Sequence, residues 1–252
     1  MIRGMIFVDL LNFDIALHSL YVANDQPTPR LDFVKLFRKV VRCVEGTDLL
    51  KAYIFAPRPD EFLMQDEHFV RYYRWLQTLK TLPFFDVIEG RYITRATDPN
   101  EPKDISRPWT YVKSEKGNDI NLAITALSNA FFNSYDAGFF FSADSDYANV
   151  YSMLKHMGKL VVQVSVQGQN LNKVLYTTTD KQIVLNKWYF ENCLLATPTR
   201  PVTPRPAAGA GDGQTAPGEM SPTIAADAAD AADSGTSPAA TDNAIPSGGG
   251  IL

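Results

Sequence analysis

Hydrophobic and polar positions follow two rhythms along this chain. Short continuous apolar runs, MIFVD (5–9), LLKAYIFA (49–56), GFFFSA (138–143) and KLVVQVSV (159–166), read as strands covered on both faces. Pro57 and Pro59 are expected to stop the second of these. FFDVIEGRYI (84–93) reads as a further strand with Gly90 as a bend, and PWTYVK (108–113) as a returning edge strand. Between the strands the apolar spacing becomes helical. LNFDIALHSLY follows the first strand, and 31–44 gathers Leu31, Val34, Leu36, Phe37, Val40, Val41 and Val44 on one face. Residues 60–80 read as one long helix with acids in its first turn and a base at its end. Two more helices are expected, 119–132 after a break at Gly117 and 144–158 closed by Gly158. The stretch 170–195 is expected to hold a short helix, a short strand near Gln182–Leu185 and a last helix, NKWYFENCLL. Strands alternating with helices at this spacing predict an α/β fold with a mostly parallel sheet and helices on both faces.

Composition changes the picture at one place. After Phe190 the chain has no aromatic residue, and 197–252 is rich in Pro, Ala, Gly, Ser and Thr. Such a segment cannot bury enough apolar surface to offset the entropy of ordering, so it is expected to be a disordered acidic tail. The remainder, 1–196, is expected to be one domain. The tail carries Arg200 and Arg205 against six acids, which leaves 22 basic and 22 acidic residues in the body. The overall charge of −4 therefore belongs to the tail. A neutral body leaves a nucleic-acid partner open, because a local basic patch decides that question. Cys43 and Cys193 form neither a disulfide framework nor a cysteine zinc site. With no signal peptide and no membrane-length apolar run, the expectation is a soluble, cytoplasmic protein with no membrane partner.

The candidate chemistry is acidic. Parallel sheets place ligands outside the carboxyl ends of their strands. Asp9 closes the first strand, Asp144 and Asp146 follow the most apolar one, and Asp119 opens a helix that could face the same crevice. Taken singly, Asp119 and one of Asp144 and Asp146 also read as helix caps. Asp9 is harder to explain that way, since a carboxylate ending an apolar strand is partly buried and needs a partner; Asn12 is one candidate. Several acids on one side of a sheet repel one another unless a cation is present. Hard ions such as Mg²⁺ and Mn²⁺ prefer carboxylate oxygens, and the absence of histidine from these motifs argues against zinc.

IFVDLLNF, KGNDINLAITAL and FFFSADSDYANVYSMLKHMGKLVVQVSV, in that order and spacing, resemble the NYN domain, a branch of the PIN-like metal-dependent ribonucleases. The resemblance runs from about Met5 to Phe190. It implies a PIN-like three-layer α/β/α sandwich and a divalent-metal-dependent endoribonuclease that leaves a 5′-phosphate. By position it implies Asp9, Asp119, Asp144 and Asp146 as catalytic, metal-binding acids, with Asn12, Lys116 and Ser142 in support. Leu10 and Leu11 stand where the family usually has small residues, and Ala143 where glycine is common. The two leucines motivate an alternative, a non-catalytic NYN-like module that binds RNA or a protein, with the tail as tether.

Arg91, Arg95, Lys103, Arg107 and Lys113 bracket a polar, proline-punctuated stretch ahead of Lys116 and are candidates for gripping RNA phosphates, or else a solvated loop. RYYRW (71–75) mixes arginine with aromatics that could stack on bases, although its helical spacing makes part of it core. His18, His68 and His156 lie on separate helices without a partner. A sugar-nucleotide transferase reading of Asp144-Ser145-Asp146 leaves Asp9 and Asp119 without a role.

Overall fold

The computed structural model describes residues 1–195. The tail expected to be disordered lies outside the described residues. Among these, one seven-stranded sheet has the order β4-β3-β2-β1-β5-β6-β7, parallel throughout except for the antiparallel pair β3 and β4. The strands are β1 (Ile2–Asp9), β2 (Thr47–Arg58), β3 (Phe85–Ala96), β4 (Tyr111–Lys116), β5 (Ala137–Phe141), β6 (Leu160–Val166) and β7 (Lys181–Leu185). The helices are α1 (Leu10–Val22), α2 (Phe33–Val41), α3 (Glu67–Leu79), α4 (Asn118–Phe131), α5 (Ala148–His156), α6 (Lys173–Thr178) and α7 (Lys187–Glu191). No helix among the described residues is long and apolar enough to cross a membrane.

Alternation along the central strands fills a core on each face. Ile6, Val8, Phe139, Phe141 and Val164 face α1, α2, α3 and α7, where Phe37, Leu76 and Phe190 are buried against them. Phe7, Phe140 and Val161 point the other way, onto Leu122, Ala126, Tyr151 and Leu175 of α4, α5 and α6. The result is the expected three-layer α/β/α arrangement. Phe7 stacks between Tyr53 and Phe140, with ring centroids 5.7 and 5.0 Å away, so β1 is anchored immediately before Asp9.

Several elements differ from their sequence patterns. Strand β2 runs through Pro57 to Arg58. Beyond Phe55 its pairing with β1 has ended and only β3 flanks it, so proline's missing N–H falls on an open side. The helix expected over 60–80 is broken: a single 3₁₀ turn at Leu63–Gln65 precedes α3. Asp60 draws the segment to β3 by accepting from the backbone and hydroxyl of Thr94 and also from the Leu63 N–H. Asp66, extended, then starts a new helix by accepting from the His68 N–H. Likewise Asp144, extended, caps a 3₁₀ turn at Ser145–Tyr147 before α5 begins at Ala148.

Gly90 is not a bend but a point of close approach within a regular strand. A Cβ there would collide with the Asn118 side chain and lie 2.8 Å from the Lys116 carbonyl oxygen. The position thus lets the start of α4 pack against β3, next to Gly117 with its φ of +92°. Gly90→Ala is expected to destabilise the fold by about 1–3 kcal/mol through overpacking, read from the midpoint of urea unfolding.

Candidate functional site

The sheet order creates a crevice. From β1 the chain builds outward through β2, β3 and β4, then returns to place β5 on the other side of β1. This is a topological switch point, where open α/β sheets bind their ligands. Asp9 is the last residue of β1, and Asp144 follows β5 after only Ser142 and Ala143. Both are delivered to the same opening by strands that are buried along the residues leading up to it.

Hydrogen bonds fix the acids. Asp9, 7 % exposed, accepts from the Asn12 N–H at 3.1 Å and so also caps α1. Ser142, itself buried, donates its hydroxyl toward the Asp9 carboxylate at 3.5 Å and accepts from the Asp144 backbone N–H at 3.2 Å, linking Asp9 to the backbone that carries Asp144. The Ser142 carbonyl in turn accepts from the fully buried Gln163 side chain on β6 at 3.0 Å. Asp144 caps its turn through the Asp146 N–H at 2.9 Å. Asp119, in the first turn of α4, accepts from the Tyr147 hydroxyl at 2.8 Å. Burial and the neighbouring Asp9 and Asp119 push the Tyr147 phenol far up, which keeps it a hydrogen-bond donor. The side-chain carbonyl of Asn12 accepts from the Ala143 N–H at 3.1 Å and from Gln169 at 3.0 Å, tying α1 to the ends of β5 and β6.

Asp9, Asp119 and Asp144 line one cleft of about 230 Å³. Glu115, near the end of β4, is a fourth acid there that the sequence motifs did not bring out. Asp146 is exposed and is not among the residues lining the cleft. Lys116 is also outside that lining. Of the two leucines, Leu10 is buried in the core below α1, whereas Leu11 lines the cleft. The pKa of Asp9 is pushed up to about 6, chiefly by burial and further by Asp119 and Asp144. Glu115 is pushed up to about 7 by burial and by Asp9 and Asp119.

Among the described residues, no three Asp, Glu, His or Cys side chains stand close enough together to hold one ion among them. The donor set nonetheless suits a hard ion. Every charged side chain lining the cleft is a carboxylate, none is basic, and their repulsion is what a cation relieves. Magnesium in particular is commonly held by one or two carboxylates, with waters and substrate phosphates completing its shell.

The basic candidates separate into two groups. Lys103 donates to the Thr94 hydroxyl at 2.8 Å and covers the Phe62 ring, and Arg107 pairs with Asp104 and Glu101. These two hold the 97–110 loop together. Arg91, paired in register with Lys116 across β3 and β4, lines with it a hollow of about 290 Å³ that shares Gly117 with the acidic cleft; Glu89 also lines this hollow but is paired with Lys80 at 2.6 Å. Arg95 is exposed on β3, and Lys113 lies over the Phe69 ring. In the RYYRW segment, Tyr72 is buried and donates to the Pro57 carbonyl, while Tyr73 and Trp75 pack against the core.

Comparison with known proteins gives one family. The sequence model of the NYN domain matches residues 3–186. No curated protein matches the chain. Among solved structures, the chain is similar to a protein of unknown function from Vibrio parahaemolyticus, with 15 % identity, 77 % of this chain and 96 % of that chain covered, and a TM-score of 0.47.

Proposed function

Since this chain belongs to the NYN domain family, we propose that it is a divalent-metal-dependent endoribonuclease whose site is the acidic cleft at the β1–β5 switch point. The observation that carries the reading is the convergence of Asp9, Glu115, Asp119 and Asp144, from three separate stretches of the sequence, on one cleft lined by no basic side chain. Asp9 and Asp144 would hold Mg²⁺ or Mn²⁺, with waters and a substrate phosphate completing its shell, and Asp119 would add negative charge from across the cleft. The ion, when bound, supplies charge stabilisation at the scissile phosphate and a lowered pKa for the attacking water.

The chain's own residues do the rest. Ser142, braced by Gln163, keeps Asp9 and Asp144 at a fixed separation, and Tyr147 holds Asp119 by its hydroxyl. Glu115, a further carboxylate lining the same cleft, is placed to exchange a proton with a substrate or product oxygen. Arg91 and Lys116 are set to grip a phosphate beside the cleft. Asp146, which the family pattern also implies, would act from outside the cleft.

Labelled single-stranded RNA is expected to be cut in the presence of Mg²⁺ or Mn²⁺ and left intact with a chelator. Cleavage indifferent to chelation would contradict the reading. Leu11, which occupies part of the cleft wall, favours the alternative of an RNA-binding module without catalysis. Firm RNA binding with no cleavage under either ion would be its signature.

A further inference from the structure

Beside the acidic cleft lies a larger groove of about 550 Å³, between α1 and the turn that follows β6. Asn12 and Ile15 line both, so the two spaces are neighbours. The groove is chemically unlike the cleft. Its lining has no charged side chain: Ile15, Ala16 and Leu20 give it an apolar floor, and Ser19, Gln167 and Gln169 a polar rim. Gln169 is locked, accepting from the Val166 N–H at 2.7 Å and donating to Asn12. Gln167 is exposed on a turn completed by Gly168 at a φ of +93°.

Three neighbouring spaces therefore cross the carboxyl end of the sheet: the Arg91–Lys116 hollow, the acidic cleft and the neutral groove. That sequence of chemistries matches a single strand of nucleic acid, with a phosphate at the basic end and the scissile phosphate at the acids. A neutral groove with an apolar floor suits neither another phosphate nor a second ion, but it does suit a base. An unstacked base is held by contact of its faces with apolar or aromatic side chains and by hydrogen bonds to its edge. Building on the ribonuclease reading above, we propose that this groove receives the unstacked base of a nucleotide next to the cleavage point, with Gln167 as the residue that reads its edge. A base held in a duplex cannot enter, so the substrate is unpaired at this position.

The test is binding rather than turnover. The full-length protein is titrated against a labelled single-stranded RNA, in Ca²⁺ to hold cleavage down, and against variants of that RNA with one abasic position moved along the strand. The expected result is one position at which loss of the base weakens binding by about tenfold. In Gln167→Ala and Ser19→Trp, the second of which fills the groove from the exposed face of α1, that position should no longer stand out. Both residues are exposed, and unchanged thermal unfolding would verify that the variants fold. Binding with equal sensitivity at every position, unaltered by either substitution, would overturn the groove assignment and leave the ribonuclease reading standing. Absence of any binding to single-stranded RNA would overturn both.

Discussion

Asp144→Asn is expected to lower the rate of single-stranded RNA cleavage by about a hundredfold or more, while Asp146→Asn changes it within about fivefold. A carboxylate that shares a metal contributes several kcal/mol to the transition state, and each 1.4 kcal/mol is about tenfold in rate. An exposed carboxylate outside the cleft acts only through a screened field. Asparagine caps a turn as well as aspartate does, so Asp144→Asn should keep its bond from the Asp146 N–H. The substitution thus separates a cap from a ligand, the two readings that the motif Asp-Ser-Asp permits. Steady-state cleavage of one labelled RNA by the three proteins measures it. Equal rates for wild type and Asp144→Asn would mean that the residue is only a cap.

The second large effect is on stability. The pKa of Asp9 is raised from 3.8 to about 6 in the folded protein. The native state then binds this proton more tightly than the unfolded chain does, so stability falls as pH rises through the interval from about 4 to about 6. A shift of that size corresponds to about 3 kcal/mol lost by neutral pH in the absence of a cation. Burial pushes Asp14 up to about 7 and, with Asp9 and Asp119 nearby, Glu115 also to about 7, which extends the decline in the same direction. Added Mg²⁺ or Mn²⁺ should restore stability at neutral pH, where the acids are ionised and the ion binds only the folded form. Asp9→Asn should flatten the chelated profile and blunt the gain from the ion. Urea unfolding at a series of pH values, with chelator and with ion, gives both slopes. A flat profile in chelator would contradict the electrostatics assigned to the cleft.

The parts of the site legible in the sequence were those set by local pattern. Asp9 and Asp144 stand directly beyond apolar runs, and the parallel α/β topology that puts both at one opening follows from the spacing of those runs. Glu115 was not legible because its position depends on non-local facts. It reaches the cleft through the antiparallel register that sets it opposite Tyr92 and through the turn at Gly117. Gln163 left one trace, a polar residue inside VVQV, and its purpose emerges only when β6 lies beside β5 and its amide meets the Ser142 carbonyl. Tyr147 has the pattern of a core aromatic and is one, apart from its hydroxyl on Asp119. Among the basic residues, composition could not distinguish Lys103 and Arg107, which bind their own loop, from Arg91 and Lys116, which border the cleft. The pairing of β3 with β4 makes that distinction. Pro57 was misleading because a proline ends a strand only where its N–H is needed, and here the sheet is open on that side.

Binding of Mn²⁺ to the full-length protein, followed by the loss of the free-ion signal in electron paramagnetic resonance, tests the acidic cleft most directly because it needs no substrate. The expected result is a saturable site in the wild type, weakened at least about tenfold in Asp9→Asn and in Asp144→Asn and retained in Asp146→Asn. Binding that is absent from the wild type, or equal in all four proteins, would contradict a metal site at Asp9 and Asp144.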